Sequence, residues 1–258
     1  MALIKSEYPI LEYDTVQEAV IRPDRQELQP LPKKAVFAFL LDEIERYVQT
    51  HQGTQIDKFE TITKVYPIYE CVHKGKKVCL CQAPLGAAAA VQLLEYLIAR
   101  GVTQVVSTGS CGALVDVSEN EFLIPVSALR DEGISYHYLL PSREIAVSPI
   151  GIQAVKTALA QAGFAFMEVK TWTTDGFYRE TEEMIRYRIE EGCRVVEMEC
   201  SGLAACARFR GITWAMILFT ADTLADTTAY RERNWGKESM AVSLRLALDA
   251  VVLLEDEV

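Results

Sequence analysis

The stretch VVEMEC, residues 195–200, places Glu197 and Glu199 on either side of Met198 at the end of an apolar run. A carboxylate at such a point accepts hydrogen bonds from two adjacent hydroxyls, the pattern that the 2′- and 3′-OH of a ribose present. The adaptable thioether of Met198 suits the apolar face of a sugar. Glu199 is the candidate for that contact; the alternative is a first-turn helix charge held by the helix dipole. Asp222, in FTADTLADT, follows a strongly apolar run. Partial desolvation there raises a carboxyl pKa toward that of a general acid, and the alternative is a turn or N-cap aspartate. STGSCGALVD, residues 107–116, combines two glycines with the hydroxyls of Ser107, Thr108 and Ser110. Successive amides in such a run form an anion-binding concavity, with Ser110 donating to a phosphate oxygen, or the run is an ordinary tight turn. APLGAAAA, residues 83–90, offers helix first-turn amides to an anion or close helix–sheet packing. Phe177 and Tyr178, in WTTDGFYRE, supply aromatic faces for a flat base, or for core or lid packing.

These residues need elements to hold them. AVFAFLLDEIERYVQT, from Ala35, has helical spacing, and TKVYPIYECVHKGKKVCLCQA reads as a hairpin around Lys74-Gly75-Lys76. Ala87–Arg100 is a helix stopped by Gly101, and VTQVVSTGSCGAL is a buried strand ending in a Gly-rich turn. Strands are also expected at NEFLIPVSALRD, AFMEVKTWTTD, RVVEMEC and ITWAMILFTAD. Helices are expected at SPIGIQAVKTALAQAGF, ETEEMIRYRIEEG, SGLAACARFRG and KESMAVSLRLALDAVVLL. The alternation predicts an α/β fold: a single domain over 1–258 with a mixed, largely parallel central sheet flanked by helices. Residues 1–33, with Pro9, Pro23, Pro30 and Pro32, read as an irregular N-terminal arm holding one short strand at AVIRP. Ligands of such sheets sit at the carboxyl ends of strands, so STGSCGA, VVEMEC and FTADTL can converge on one pocket.

Composition narrows the function classes. Half of the 258 residues are hydrophobic, enough for a sizeable core, and 26 basic against 36 acidic residues give a net charge of −10. That balance argues against a nucleic-acid partner, which needs a basic patch. The start MALIKSEYPILEYDT has no apolar h-region, and no apolar run approaches the roughly 18 residues of a membrane span. A soluble, cytoplasmic protein without a membrane partner is expected. The seven cysteines, among them Cys79 and Cys81 in KVCLCQA, read as buried reduced thiols. With three histidines and no further ligand pairs, no metal site is expected.

The order GSCGA, TTDGFYRE, VVEMECSGLAA, FTAD resembles the nucleoside phosphorylase-I family, which includes purine nucleoside phosphorylases, uridine phosphorylases and methylthioadenosine-type nucleosidases. The similarity runs from about Lys64 to the last helix, and DEGISYHYLLP and KTWTTDGFYRET resemble a bacterial branch on the uridine phosphorylase side. The resemblance implies the phosphorylase/hydrolase-like fold and cleavage of a nucleoside's N-glycosidic bond. Met198 and Glu199 would hold the ribose, Gly109 and Ser110 the phosphate, and Phe177 and Thr174 the base. Lys64 falls where the family lends an arginine to a neighbour's phosphate, which implies a homo-oligomer, a dimer or a hexamer built as a trimer of dimers. Asp222 matches the acid that protonates a leaving purine, so a purine is favoured over uridine. At the positions matching the uracil-reading Gln and Arg stand Thr181 and Glu183. The expected partners are a nucleoside and inorganic phosphate as co-substrate, with no cofactor. Where the phosphorylases carry an arginine before the phosphate serine, Ser107 stands here, as in the nucleosidases, and Arg22 or Arg25 of IRPDR is the substitute cation. The lead expectation is therefore phosphorolysis; the alternatives are a hydrolytic nucleosidase and a non-catalytic nucleoside-binding protein.

Overall fold

The apolar runs Lys34–Ala38, Gln104–Ala113 and Thr213–Thr223 are strands buried on both faces, whereas the helix Glu43–Thr50 buries only the stripe of Ile44 and Val48. The computed structural model describes residues 3–23 and 29–255. In chain order the elements are β1 (Leu3–Ile4), β2 (Tyr13–Asp14), β3 (Lys34–Ala38), α1 (Glu43–Thr50), β4 (Thr54–Glu60), β5 (Val65–His73), β6 (Lys76–Gln82), α2 (Ala87–Ala99) and β7 (Gln104–Ala113). There follow β8 (Phe122–Asp131), β9 (Glu144–Ala146), α3 (Pro149–Gln161), β10 (Phe166–Thr174), α4 (Glu182–Glu190), β11 (Cys193–Glu197), α5 (Cys200–Arg210), β12 (Thr213–Thr223) and α6 (Met240–Leu253).

The main sheet runs β11-β10-β8-β12-β7-β3-β6-β5-β4, with β9 beside β8. Its parallel pairs are β10–β11, β10–β8, β12–β7, β3–β7 and β3–β6. Antiparallel pairs join β12 to β8 and β8 to β9, and make up the outer wing of β6, β5 and β4. The antiparallel pairing of β11 with β7 (Val195 opposite Ala113, Val196 opposite Gly112) closes β7, β12, β8, β10 and β11 into a ring. Closure leaves these five strands without a free edge. The sheet is thus the mixed α/β sheet expected. Helix α5 packs on β8 and β12, and α6 on β7, β3 and β12. Ser148 caps α3 through the Gly151 amide, Thr181 caps α4 through the Met184 amide, and Gly211 ends α5 in the left-handed conformation.

Three expectations are corrected. AVFAF is the strand β3, all five of whose residues are buried, and only Glu43–Thr50 is helical. A strand covered on both faces shows no alternation, so its apolar run can be mistaken for the start of the next helix. AVIRP is not a strand: Val20 and Ile21 are exposed, and the arm's pairing is β1 with β2. The strand of STGSCGA does not stop before its glycines but continues through them to Ala113. β4, which the sequence reading left out, is a half-exposed edge strand at the far side of the wing.

Candidate active site

The carboxyl ends of β7, β11 and β12 meet around a cavity of about 240 Å³ whose lining includes Gly109, Ser110, Met198, Glu199, Phe177 and Asp222, with Phe39, Leu85, Glu180, Glu197 and Trp235 among the others. Ring closure explains the convergence: the β7–β11 pairing brings the STGSCGA strand beside VVEME, while β7–β12 brings it beside FTAD. Gly112 leaves room for this. A Cβ there would stand 2.9 Å from Leu224 Cδ1, 3.1 Å from Val196 Cγ1 and 3.2 Å from Asp222 Oδ1, crowding the carboxylate.

The two glutamates of VVEMEC have separate tasks. Glu197 is buried and fully engaged. Its Oε1 accepts from the Thr173 hydroxyl at 2.6 Å and the Thr171 hydroxyl at 3.2 Å, and its Oε2 from the amides of Glu199 at 2.8 Å and Cys200 at 2.7 Å. It therefore locks β10 to the first turn of α5, and the helix-terminus role considered for Glu199 belongs to Glu197. Ser201 strengthens the same joint: its hydroxyl donates to Glu132 at 2.8 Å and its amide to the Thr173 hydroxyl at 3.0 Å. Glu199, only 5 % exposed, lies in the cavity wall, and its Oε1 accepts from the Gly86 amide at 2.6 Å. So an amide of the APLGAAAA loop, for which the sequence offered either an anion contact or close helix–sheet packing, holds the protein's own carboxylate. Gly86 reaches this pose at φ 88°, a left-handed conformation open to glycine. Burial, and then the charge of Glu197, push the Glu199 carboxyl up to about 8. Burial likewise raises the pKa of Glu197 itself.

Asp222 is 5 % exposed. Its Oδ2 accepts from the Tyr230 hydroxyl at 3.1 Å, and burial raises its pKa against the opposing pull of that bond and of the Arg233 charge. Arg233 itself donates to backbone, to Val117 O at 2.7 Å and Ala221 O at 3.5 Å, while Arg231 pairs with Thr223 through its main chain. Both arginines thus steady the strand that carries the acid.

Six of the predicted site residues therefore line one cavity: Gly109, Ser110, Phe177, Met198, Glu199 and Asp222. Thr174 sits behind the wall, where its hydroxyl accepts from the Gly176 amide at 3.1 Å and shapes the turn that presents Phe177. Lys64 is exposed at the β4–β5 turn with its Nζ 5.1 Å from the Tyr66 ring, on the wing edge and outside this chain's cavity. Arg25 lies outside the described residues. Ser107 is fully buried and its hydroxyl accepts from Trp214 Nε1 at 2.9 Å, so the position that the resemblance gives to a cation is core here.

Glu180, Tyr230 and Trp235 escaped the sequence reading. Glu180 ends the quoted WTTDGFYRE, and its place three residues after Phe177 was the available signal. Tyr230 and Trp235 sit in a non-periodic loop that gives none. Beyond Phe177, Glu180, Asp222 and Trp235 the cavity opens into a second one of about 450 Å³, walled by Tyr178, Glu182, Ile185, Leu224, Asp226, Thr227, Tyr230 and Glu232. Among the described residues lining the two chambers there is no lysine or arginine.

Known proteins resemble this chain in sequence and fold. A family model described as the phosphorylase superfamily matches residues 19–252. A purine nucleoside phosphorylase of DeoD type from Bacillus cytotoxicus is 26 % identical over 184 residues, 68 % of this chain and 77 % of the relative. The crystal structure of a uridine phosphorylase from Vibrio fischeri superposes with a TM-score of 0.74 at 22 % identity, covering 90 % of this chain and 95 % of that one. That of an AMP nucleosidase from Bacteroides thetaiotaomicron does so with 0.69 at 20 % identity, covering 86 % and 89 %. The last two likenesses are of fold.

Proposed function

The chain belongs to the phosphorylase superfamily, and on that premise we propose that it cleaves the N-glycosidic bond of a purine nucleoside, with Asp222 protonating the leaving base. The observation that carries this reading is the meeting of Glu199, Met198 and Asp222 on one small cavity with Phe177 at its mouth. Glu199, whose carboxyl is raised to about 8 by burial in the free protein, ionises as the two ribose hydroxyls donate to it, and Met198 packs on the sugar. The C1′–N bond opens through an oxocarbenium-like state, stabilised by the neighbouring carboxylates. Asp222, its pKa raised by burial, gives its proton to the departing ring nitrogen, a contribution of roughly 10²–10⁴-fold. Tyr230 holds Asp222 in position.

The acceptor at C1′ distinguishes two versions. Hydrolysis is favoured by the walls: a phosphate dianion needs cationic partners, and the described lining residues supply none. Phosphorolysis, the lead expectation of the sequence, is favoured by the likeness to DeoD-type purine nucleoside phosphorylases and by Ser110 with the Gly109 amide. It requires a cation to bring the missing charge: Lys64 from a second copy, which makes an oligomer necessary, or Arg25 of the same chain, which does not. Base release from adenosine, inosine, guanosine, uridine and methylthioadenosine, each with and without phosphate, decides between them. Release without phosphate establishes hydrolysis, release only with phosphate establishes phosphorolysis, and binding without release removes the enzymatic reading. A monomer in sedimentation removes the role of Lys64.

A further inference from the structure

On the function proposed above, an unsubstituted nucleoside held by Glu199 and Asp222 would fill the inner cavity of about 240 Å³ and leave the outer chamber of about 450 Å³ open. That chamber has a definite chemistry. Its rings, Phe177, Tyr178, Tyr230 and Trp235, offer π faces, and Glu180, Glu182, Asp226 and Glu232 offer carboxylates. Two of the four acids are engaged: Glu182 pairs with Arg186 at 2.9 Å, and Asp226 accepts from the Thr228 hydroxyl at 2.6 Å. Among the described residues Glu180 and Glu232 have no ion-pair partner, and Glu180 stands where the two chambers join. The Arg233 guanidinium, the nearest described cation to Asp222, is turned to backbone carbonyls of Ala221 and Val117. Aromatic faces beside unpaired carboxylates attract an organic cation through both the ring quadrupole and its charge, and they repel an anion. The chamber is continuous with the base end of the inner cavity rather than with its ribose end, because Asp222 and Phe177 belong to both.

We propose that the outer chamber receives an amine-bearing, positively charged arm on the base of the nucleoside, seated against Trp235 and Tyr230 and paired with Glu180 and Glu232. The proposal rests on the reading that the inner cavity binds a purine nucleoside, and the experiment separates the two. Three ligands are compared on the full-length protein: adenosine, adenosine with an aminobutyl arm on its exocyclic amine, and adenosine with a pentyl arm of the same length. Both kcat/KM and, by calorimetry, Kd are measured. The expected result is at least a tenfold advantage of the aminobutyl over the pentyl compound, shrinking at high salt as a charge–charge attraction does. Glu180→Gln and Glu232→Gln should each reduce that ratio, whereas a structural role would weaken both compounds alike. Equal values for the two arms, or rejection of both while adenosine is cleaved, would overturn the arm site. Tighter binding of the aminobutyl compound with no turnover of any of the three would leave the arm site standing and sink the cleavage reading instead.

Discussion

The inner and outer walls of the cleft are built differently. The inner wall is strand and helix terminus: Glu197 holds β10, β11 and α5 together with four hydrogen bonds, and the β7–β11 and β7–β12 pairs fix Ser110, Glu199 and Asp222 against one another. The outer wall is loop. Phe177 and Tyr178 ride a short helical turn, and Trp235 sits at φ 58° in the loop before α6. What ties that loop down is Glu119, whose Oε1 accepts from the amides of Asn234 and Gly236, each at 2.8 Å. On the proposed function, the groups that act on the sugar and the leaving atom are those held by the ring of strands, and the groups that would touch the variable end of a ligand lie on loops, which tolerate change.

The contrast predicts where substitutions cost catalysis and where they cost selectivity. The largest effect belongs to the inner wall: Glu199→Ala and Asp222→Asn should each lower kcat/KM by ~10²–10⁴-fold, through lost charge-assisted hydrogen bonds to ribose in one case and a lost general acid in the other. Both proteins should keep a wild-type circular dichroism spectrum. A loss under tenfold at either residue would break the division between the walls. Glu197→Ala should act on stability as well. It strands four donors, two of them amides at the start of α5, at a cost of at least ~1–3 kcal/mol for buried groups left without partners. Urea unfolding would show this as a lowered midpoint, and an unchanged midpoint would mean that the joint between β10 and α5 is held by something else.

The same division decided what the sequence could reveal. Glu199, Met198, Ser110 and Asp222 were legible because they end strands whose apolar runs announce them, and a strand end has one place to go in an α/β sheet. Glu199 was singled out from Glu197 by sequence, but the task of Glu197 was not legible there; the Thr171 and Thr173 hydroxyls of a distant strand reveal it. Strand β3 was misread because full burial erases the alternation that marks strands. Trp235 and Tyr230 belong to a loop whose course depends on Glu119, more than a hundred residues earlier, and no local pattern encodes such a contact.

A pH measurement sharpens the comparison at the level of charge. Burial raises the Glu199 carboxyl from 4.5 to about 8 and that of Glu180 from 4.5 to about 7. A carboxyl raised in the folded state favours folding fully below its unfolded value, and that contribution disappears as pH climbs through the folded value. The ligand-free protein should therefore lose thermal stability between about pH 5 and pH 8. Glu199→Gln should flatten more of that slope than Glu180→Gln, because the inner carboxylate is the more deeply buried, and the raised carboxyls of Glu197 and Asp222 should leave a remainder. The carboxyls with lowered values, Glu60, Glu191, Asp226 and Asp249, act in the opposite sense and only in the acid range, outside this window. A melting temperature flat across the window would show that water reaches the inner wall freely.

The smallest expected effect tests the outer wall by loosening it without touching its face. Glu119→Ala removes the acceptor of two amides in a loop that carries positive φ at both Arg233 and Trp235, conformations that L-residues hold only when their surroundings impose them. Freed of Glu119, the loop relaxes and Trp235 leaves its place over the cleft. Asp222 stays on β12, still paired with β7. The expected outcome is a rise in KM of about tenfold, matching an ordering cost of order 1.4 kcal/mol, with kcat nearly preserved. A fall in kcat as large as that of Asp222→Asn would mean that the loop positions the acid through Tyr230, whose hydroxyl reaches Asp222 from the same segment, and that the two walls act as one.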